Sequence, residues 1–119
     1  MNHLDLGNFG EDYACRYLQK KNYIIRDRKY TYRKNEIDIV AEKNNQLIVI
    51  EVKTRQTAEI GEPWQSVTKR KQKEIIKVAN QYVQSKELNI DVQFDIISIV
   101  HNSYRTKLEH LENAFYPTW

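Results

Sequence analysis

Between Asp5 and Lys21 the apolar side chains Leu6, Tyr13, Ala14, Tyr17 and Leu18 recur at the spacing of one face of a helix, and Asn22 supplies a stop. The next segment, Tyr23 to Tyr32, mixes Ile and Tyr with polar residues and reads as an extended, partly exposed strand. Arg33, Lys34 and Asn35 make a turn before Glu36-Ile-Asp-Ile-Val-Ala41, and Lys43-Asn-Asn-Gln46 is a tight connection into Leu47-Ile-Val-Ile-Glu-Val-Lys53. These two runs predict a hairpin. Their density of Ile and Val predicts strands covered on both faces, with helices as the cover.

Thr54 to Gln65, with Gly61 and Pro63 and no period, reads as a loop or crossover. A long helix follows, its stripe made by Val67, Ile75, Ile76, Val78, Ala79, Tyr82 and Val83, with Lys69, Arg70, Lys73 and Lys77 largely outside it. Val92 to Val100 is a further strand, and Lys107 to Phe115 a weaker one. The order is helix, three strands, helix, one or two strands, an α/β arrangement. A chain of 119 residues is the size of one domain, taken as 1–119.

Three Gly, two Pro and 40% hydrophobic residues argue against disorder or a loop-rich scaffold. The single cysteine, Cys15, cannot pair within the chain, and the opening residues lack the basic-then-apolar order of a secretory signal, so a cytoplasmic setting is expected. Apolar runs such as Leu47 to Ile50 are far too short to span a bilayer, and no membrane partner is expected. The formal charge of +3 decides nothing by itself. Its distribution does more: Lys20, Lys21, Arg26, Arg28, Lys29, Arg33 and Lys34 form one basic cluster, and Lys69, Arg70, Lys71 and Lys73 another. Both could track phosphates, or be solvated faces of a strand and a helix.

Three carboxylates sit where apolar residues are expected. On the first helix Glu11 falls inside the apolar arc, which requires a partner or an escape to solvent near the helix N-terminus. On the third strand Glu51 and Lys53 interrupt the apolar run, and alternation puts them on one side, about 6–7 Å apart along the strand. Asp38 intrudes likewise between Ile37 and Ile39, with Glu36 on its own face. A hairpin pairing Asp38 near Glu51 brings two carboxylates and one ammonium together. A cross-strand ion pair at a sheet edge accounts for this without chemistry, but leaves one carboxylate unpaired. The alternative is a Mg²⁺ ion, which takes one or two carboxylates, water and a phosphate oxygen. Such a site suits phosphodiester hydrolysis, with Lys53 orienting water or offsetting transition-state charge.

Competing chemistries have less support. His3, His101 and His110 are scattered singly, and Gly7, Gly10 and Gly61 do not form a phosphate loop. Cys15 lies on the apolar arc and reads as packing. Trp64 and Trp119 suit base stacking, core filling or self-association.

The motifs Gly7-Asn-Phe-Gly-Glu11 followed by Ala14 and Tyr17-Leu18, Glu36-Ile-Asp-Ile-Val40, Glu51-Val-Lys-Thr-Arg55 and Phe94-Asp95 together resemble the YraN-like family, UPF0102, of predicted endonucleases. That family looks like a small branch of the PD-(D/E)XK nucleases and is distantly similar to archaeal Holliday junction resolvases. The resemblance runs from Gly7 to about Phe115. It implies a restriction-endonuclease-like αβββαβ core, a mixed central sheet flanked by helices, matching the order read from periodicity. It also implies catalytic roles for Glu11, Asp38, Glu51 and Lys53, with Asp38 and Glu51 holding Mg²⁺ or Mn²⁺. Gln72 stands where related nucleases place a polar residue on the second helix; Thr54 and Arg55 extend the motif toward a phosphate, and Glu36 is an outer ligand or a hairpin charge. Asn35 replaces the Gly common before Glu-Ile-Asp, and Ile37 replaces the Pro of the superfamily name.

The expectation is an endonuclease hydrolysing DNA, at branched or other non-canonical structures, with Arg55, Lys69, Gln72 and Lys73 among its nucleic-acid contacts. The alternatives are a non-catalytic nucleic-acid-binding module on the same fold, and a protein-interaction domain docking through the tail Phe115-Tyr116-Pro-Thr-Trp119. A homodimer would let two sites address two strands.

Overall fold

The structure is a computed structural model that describes residues 1–117. Helix α1 (His3–Lys20) leads into three antiparallel strands, β1 (Ile24–Tyr32), β2 (Asn35–Lys43) and β3 (Gln46–Arg55). A 3₁₀ turn (Pro63–Ser66) and helix α2 (Lys69–Ser85) cross over to β4 (Asp91–His101), which runs parallel to β3, and β5 (Thr106–Phe115) returns antiparallel at the edge. The sheet order is β1-β2-β3-β4-β5. No described helix is long and apolar enough to cross a membrane.

Local chemistry explains the boundaries. Helix α1 starts two residues before its apolar period because the Asn2 side chain accepts from the Asp5 N–H at 2.8 Å, and it ends where Asn22 takes a left-handed conformation, φ 69°. Thr68 caps α2 through the Lys71 N–H, at 3.2 Å. Val67 therefore stands outside the helix to which the stripe assigned it, buried under the sheet. Asn44 and Asn45, φ 53° and 61°, form the two-residue β2–β3 turn with both residues left-handed, as the tight connection requires. In the β1–β2 turn the left-handed residue is Arg33, φ 58°, whereas Asn35 already pairs with Tyr32 in the sheet.

The two helices cover opposite faces. Ala14, Cys15 and Leu18 of α1 pack with Tyr23 on Ile39, Ala41, Ile48, Ile50, Ile97 and Ile99. On the other face Ile75, Ile76, Val78, Ala79 and Tyr82 of α2 pack on Ile37, Val40, Leu47, Val49, Phe94 and Ile96. Strand β4 is buried continuously from Phe94 to Ser98 and on to Ile99, as a central strand covered on both sides must be. Phe115 belongs to this core and stacks on Phe94, with centroids 5.3 Å apart, so the first residue of the aromatic tail is not free to dock a partner. Thr118 and Trp119 of that tail lie outside the described residues. Trp64 packs against the α2-side core, and its backbone N–H donates to Ser98 Oγ at 3.1 Å.

Close approach of α1 to β3 depends on Gly10. A Cβ there would stand 1.8 Å from Thr54 Oγ1 and 2.9 Å from Thr54 Cβ, so helix and strand could not keep their spacing. Gly10→Ala is expected to destabilise by about 1–3 kcal/mol through overpacking, even though Ala is the better helix former by about 1 kcal/mol. Urea unfolding checks this, and pairing the change with Thr54→Gly should cost less than the sum of the two single changes. A Gly10→Ala protein as stable as wild type would contradict the account.

Candidate functional site

The β2–β3 ladder runs from Lys43 opposite Gln46 to Ile39 opposite Ile50, and there it stops. One more step would put Asp38 opposite Glu51. Instead the Asp38 carboxylate accepts from the Val52 N–H at 2.8 Å, so a side chain takes a donor that a continued ladder would have taken. The two strands fork at this point. Strand β2 also reverses its faces here: Ile37 and Val40 both join the α2 side, whereas Ile39 and Ala41 join the α1 side.

Strand β1 is irregular at the same level. Lys29 lies between the pairs Arg28–Ile39 and Tyr30–Ile37, as Asp38 does on β2, and it is left-handed, φ 53°. The result is that two consecutive cations turn to α1. Arg28 Nε donates to Glu11 Oε1 at 3.2 Å and Lys29 Nζ to Glu11 Oε2 at 2.9 Å, while Arg28 Nη2 also holds Asp12 Oδ1 at 2.7 Å. Glu11 is only 5% exposed, so it has not escaped to solvent. Its burial is compensated by two charge-assisted bonds.

A hollow of about 330 Å³ opens at the fork. Its walls are His3, Leu4, Gly7, Asn8 and Glu11 of α1, Lys29 of β1, Glu36 and Asp38 of β2, and Val52, Lys53, Thr54 and Arg55 of β3. Of the residues expected from the sequence, Glu11, Asp38, Lys53 and Arg55 are brought together here. Glu51 lies next to this wall rather than in it, on the α2 side beside Ile96, with Lys53 pointing to the same face. Gln72 does not line the hollow, and its Nε2 donates to the Val67 carbonyl at 3.1 Å. Lys69 and Lys73 are exposed on α2, outside the hollow.

Glu51 is the anomaly of the site. It is 5% exposed, and its Oε2 is the buried side-chain polar atom left without a hydrogen-bond partner among the described residues. Burial, and after it the neighbouring Asp38 carboxylate, push the Glu51 carboxyl up to about 9, against a smaller pull from Lys71 and Lys53. Lys71, Lys29 and the Val52 N–H are the participants that the reading by motif did not single out. Lys71 and Lys29 were visible only as members of basic clusters; nothing in the sequence marks a backbone donor.

Among the described residues no three acidic, histidine or cysteine side chains form a ready-made metal cluster. Glu11 is occupied by Arg28 and Lys29, which leaves Glu36 and Asp38 on the wall and Glu51 beside it, and of these Asp38 and Glu51 adjoin one another. Two hard oxygen donors with room for water match what Mg²⁺ or Mn²⁺ accepts, and the unpartnered Oε2 is an atom that such an ion would satisfy.

The helix–three strand–helix–strand order, with a mixed sheet between α1 and α2, defines a restriction-endonuclease-like α/β core. The profile of the uncharacterised protein family UPF0102 matches residues 10–99, and the chain belongs to that family. It is 44% identical over 114 residues to UPF0102 protein FP2501 of Flavobacterium psychrophilum, covering 96% of each chain. It is equally similar, 44% over 114 residues, to a UPF0102 protein of Christiangramia forsetii. A UPF0102 protein of Clostridium beijerinckii is 45% identical over 114 residues, or 93% of each chain.

The position of Glu51 has a consequence for stability in metal-free protein. Its folded value of about 9 lies above its ordinary 4.5, so the folded chain holds a proton that the unfolded chain releases. That contribution is complete below about pH 4.5 and is lost as pH rises toward 9. In EDTA, Glu51→Gln should remove this slope and exceed wild type in stability by about 2–4 kcal/mol at about pH 8. Unfolding curves of the two proteins that stay parallel from acid to alkaline pH would contradict it.

Proposed function

We propose that the protein is a Mg²⁺- or Mn²⁺-dependent endonuclease that hydrolyses DNA phosphodiester bonds at the β2–β3 fork. The observation that carries this reading is the buried, unpartnered Glu51 Oε2 next to an Asp38 carboxylate whose position is fixed by the Val52 N–H. An acid kept in that state is costly unless something binds it. A divalent cation held by Asp38 and Glu51 would supply Lewis-acid polarisation of a phosphoryl oxygen.

The chain's own residues supply the rest. The Val52 N–H holds one Asp38 oxygen and leaves the other oriented by the carboxylate plane, so the ligand is set before substrate arrives. Lys53 lines the hollow on the same strand face as Glu51 and places an ammonium where charge develops on the phosphoryl group. Glu11 acts by holding Lys29 at the rim of the hollow, and Arg55 extends the cationic wall at its outer end. On α2 the exposed Lys69, Arg70 and Lys73 continue the positive surface beyond it and suit a phosphate backbone.

Incubation with Mg²⁺ or Mn²⁺ and a panel of linear, single-stranded, flap and four-way DNA tests the reading. Asp38→Asn, which keeps an oxygen for the Val52 N–H, and Glu51→Ala should each cut at least about a hundredfold more slowly than wild type while remaining folded. Wild-type cleavage by either folded variant would remove the assignment. Replacing Lys69 and Lys73 together by Ala should weaken duplex binding and flatten the salt dependence by about two in the log–log slope. An unchanged slope rejects α2 as the backbone-tracking face.

A further inference from the structure

The end of the sheet that carries the fork also carries a feature that hydrolysis does not use, the turn between β4 and β5. Because β4 runs parallel to β3, with Val100 paired to Arg55, this turn stands where β3 leaves the site. Its tip is Tyr104, 92% exposed, and the 56–62 loop beside it bears Ile60, 95% exposed. A lone exposed aromatic is ordinary. The bonds that pin the turn bearing this one are not.

Asn102 Oδ1 accepts from the N–H groups of Tyr104, at 2.9 Å, and Arg105, at 3.3 Å. Its Nδ2 donates to the Gln56 carbonyl at 2.8 Å, tying the turn to the residue that follows Arg55. One residue earlier, His101 stacks on Phe9 of α1 with centroids 3.8 Å apart, and its Nδ1 stands 2.6 Å from Thr106 Oγ1. The tip is thus fixed to α1 and β3, the two elements that build most of the hollow. A neighbouring depression of about 190 Å³ sets Arg105 and Lys107 against one carboxylate, Glu62.

An exposed aromatic face on a pinned turn, flanked by cations, matches a nucleobase on its phosphate chain. Stacking is indifferent to base identity, and the cations follow the backbone. A paired base inside a duplex has both faces covered by its neighbours, so the ring can stack only where pairing or stacking is already broken. We propose that Tyr104 is a stacking platform for an unpaired nucleobase, and that the substrate class is DNA with a single-stranded or disrupted segment beside the bond to be cut. What is cut rests on the hydrolytic reading above; the binding does not.

Fluorescence anisotropy in EDTA, with labelled oligothymidine and a labelled duplex of matched length at fixed salt, separates the two. Tyr104→Ala should bind oligothymidine about tenfold more weakly and the duplex within about twofold of wild type. Tyr104→Phe, which keeps the ring, should bind both as wild type does. The platform is overturned if Tyr104→Ala binds oligothymidine normally, if both ligands are lost equally, if wild type binds neither, or if Tyr104→Phe behaves like the Ala variant. Tyr104-dependent binding in a protein that cuts nothing counts against the hydrolytic reading alone. Cleavage that needs Glu51, with oligothymidine binding indifferent to Tyr104, counts against the platform alone.

Discussion

One hydrogen bond organises this molecule, the Val52 N–H held by the Asp38 carboxylate. A backbone donor at the end of an antiparallel ladder must find a partner, and here a side chain supplies it, so β2 and β3 separate without leaving that group unpaired. The separation lets α1, kept close to β3 by the bare Gly10, wall off a hollow between the strands. It also leaves Glu51 behind the fork, buried next to a second carboxylate. Fold and chemistry meet at Asp38: the residue that ends the pairing also faces the space that the ending creates.

The way other buried acids are treated shows what is unusual about Glu51. Glu11 receives two cations, which requires Lys29 to adopt a left-handed backbone. Asp95, fully buried, accepts from Gln93 Nε2, the Asn113 N–H and His110 Nε2 at 2.7–2.9 Å, and His110 Nδ1 in turn meets the Tyr17 hydroxyl at 2.9 Å. Asp27 accepts from the Tyr82 hydroxyl at 2.6 Å. The fold therefore has the means to satisfy carboxylates and uses them. Glu51 is left with an empty oxygen and a carboxyl pushed far above its usual range. Native interiors leave few polar atoms in that condition, and those few cluster where a ligand or ion binds.

Much of this was legible in the sequence, for identifiable reasons. Asn44-Asn45 specifies a two-residue turn, and that turn sets the β2–β3 register that aims Asp38 at Glu51. Alternation along β3 correctly put Glu51 and Lys53 on one face, because β3 pairs without interruption along β4. Alternation failed on β2, where faces reverse at Asp38 opposite the left-handed Lys29 of β1; an irregularity compensated across two strands leaves no mark in the pattern of β2. The apolar arc of α1 identified Glu11 as a residue facing the sheet, but its partners come from a strand 17 and 18 residues away in the chain. Phe94-Asp95 stood out as a motif without a role, and its role is to fasten β5 and α1 through His110.

On the proposed hydrolytic reading, Asp38 and Glu51 together take up a divalent cation. Isothermal titration of Mg²⁺ or Mn²⁺ into the metal-free protein near neutral pH, repeated in buffers of different ionisation enthalpy, counts the protons released on binding. An ion that displaces the proton held on Glu51 predicts one site with about one proton released per ion, a count that falls toward zero as pH rises past about 9. Absence of binding, or binding with no proton released at neutral pH, would contradict it.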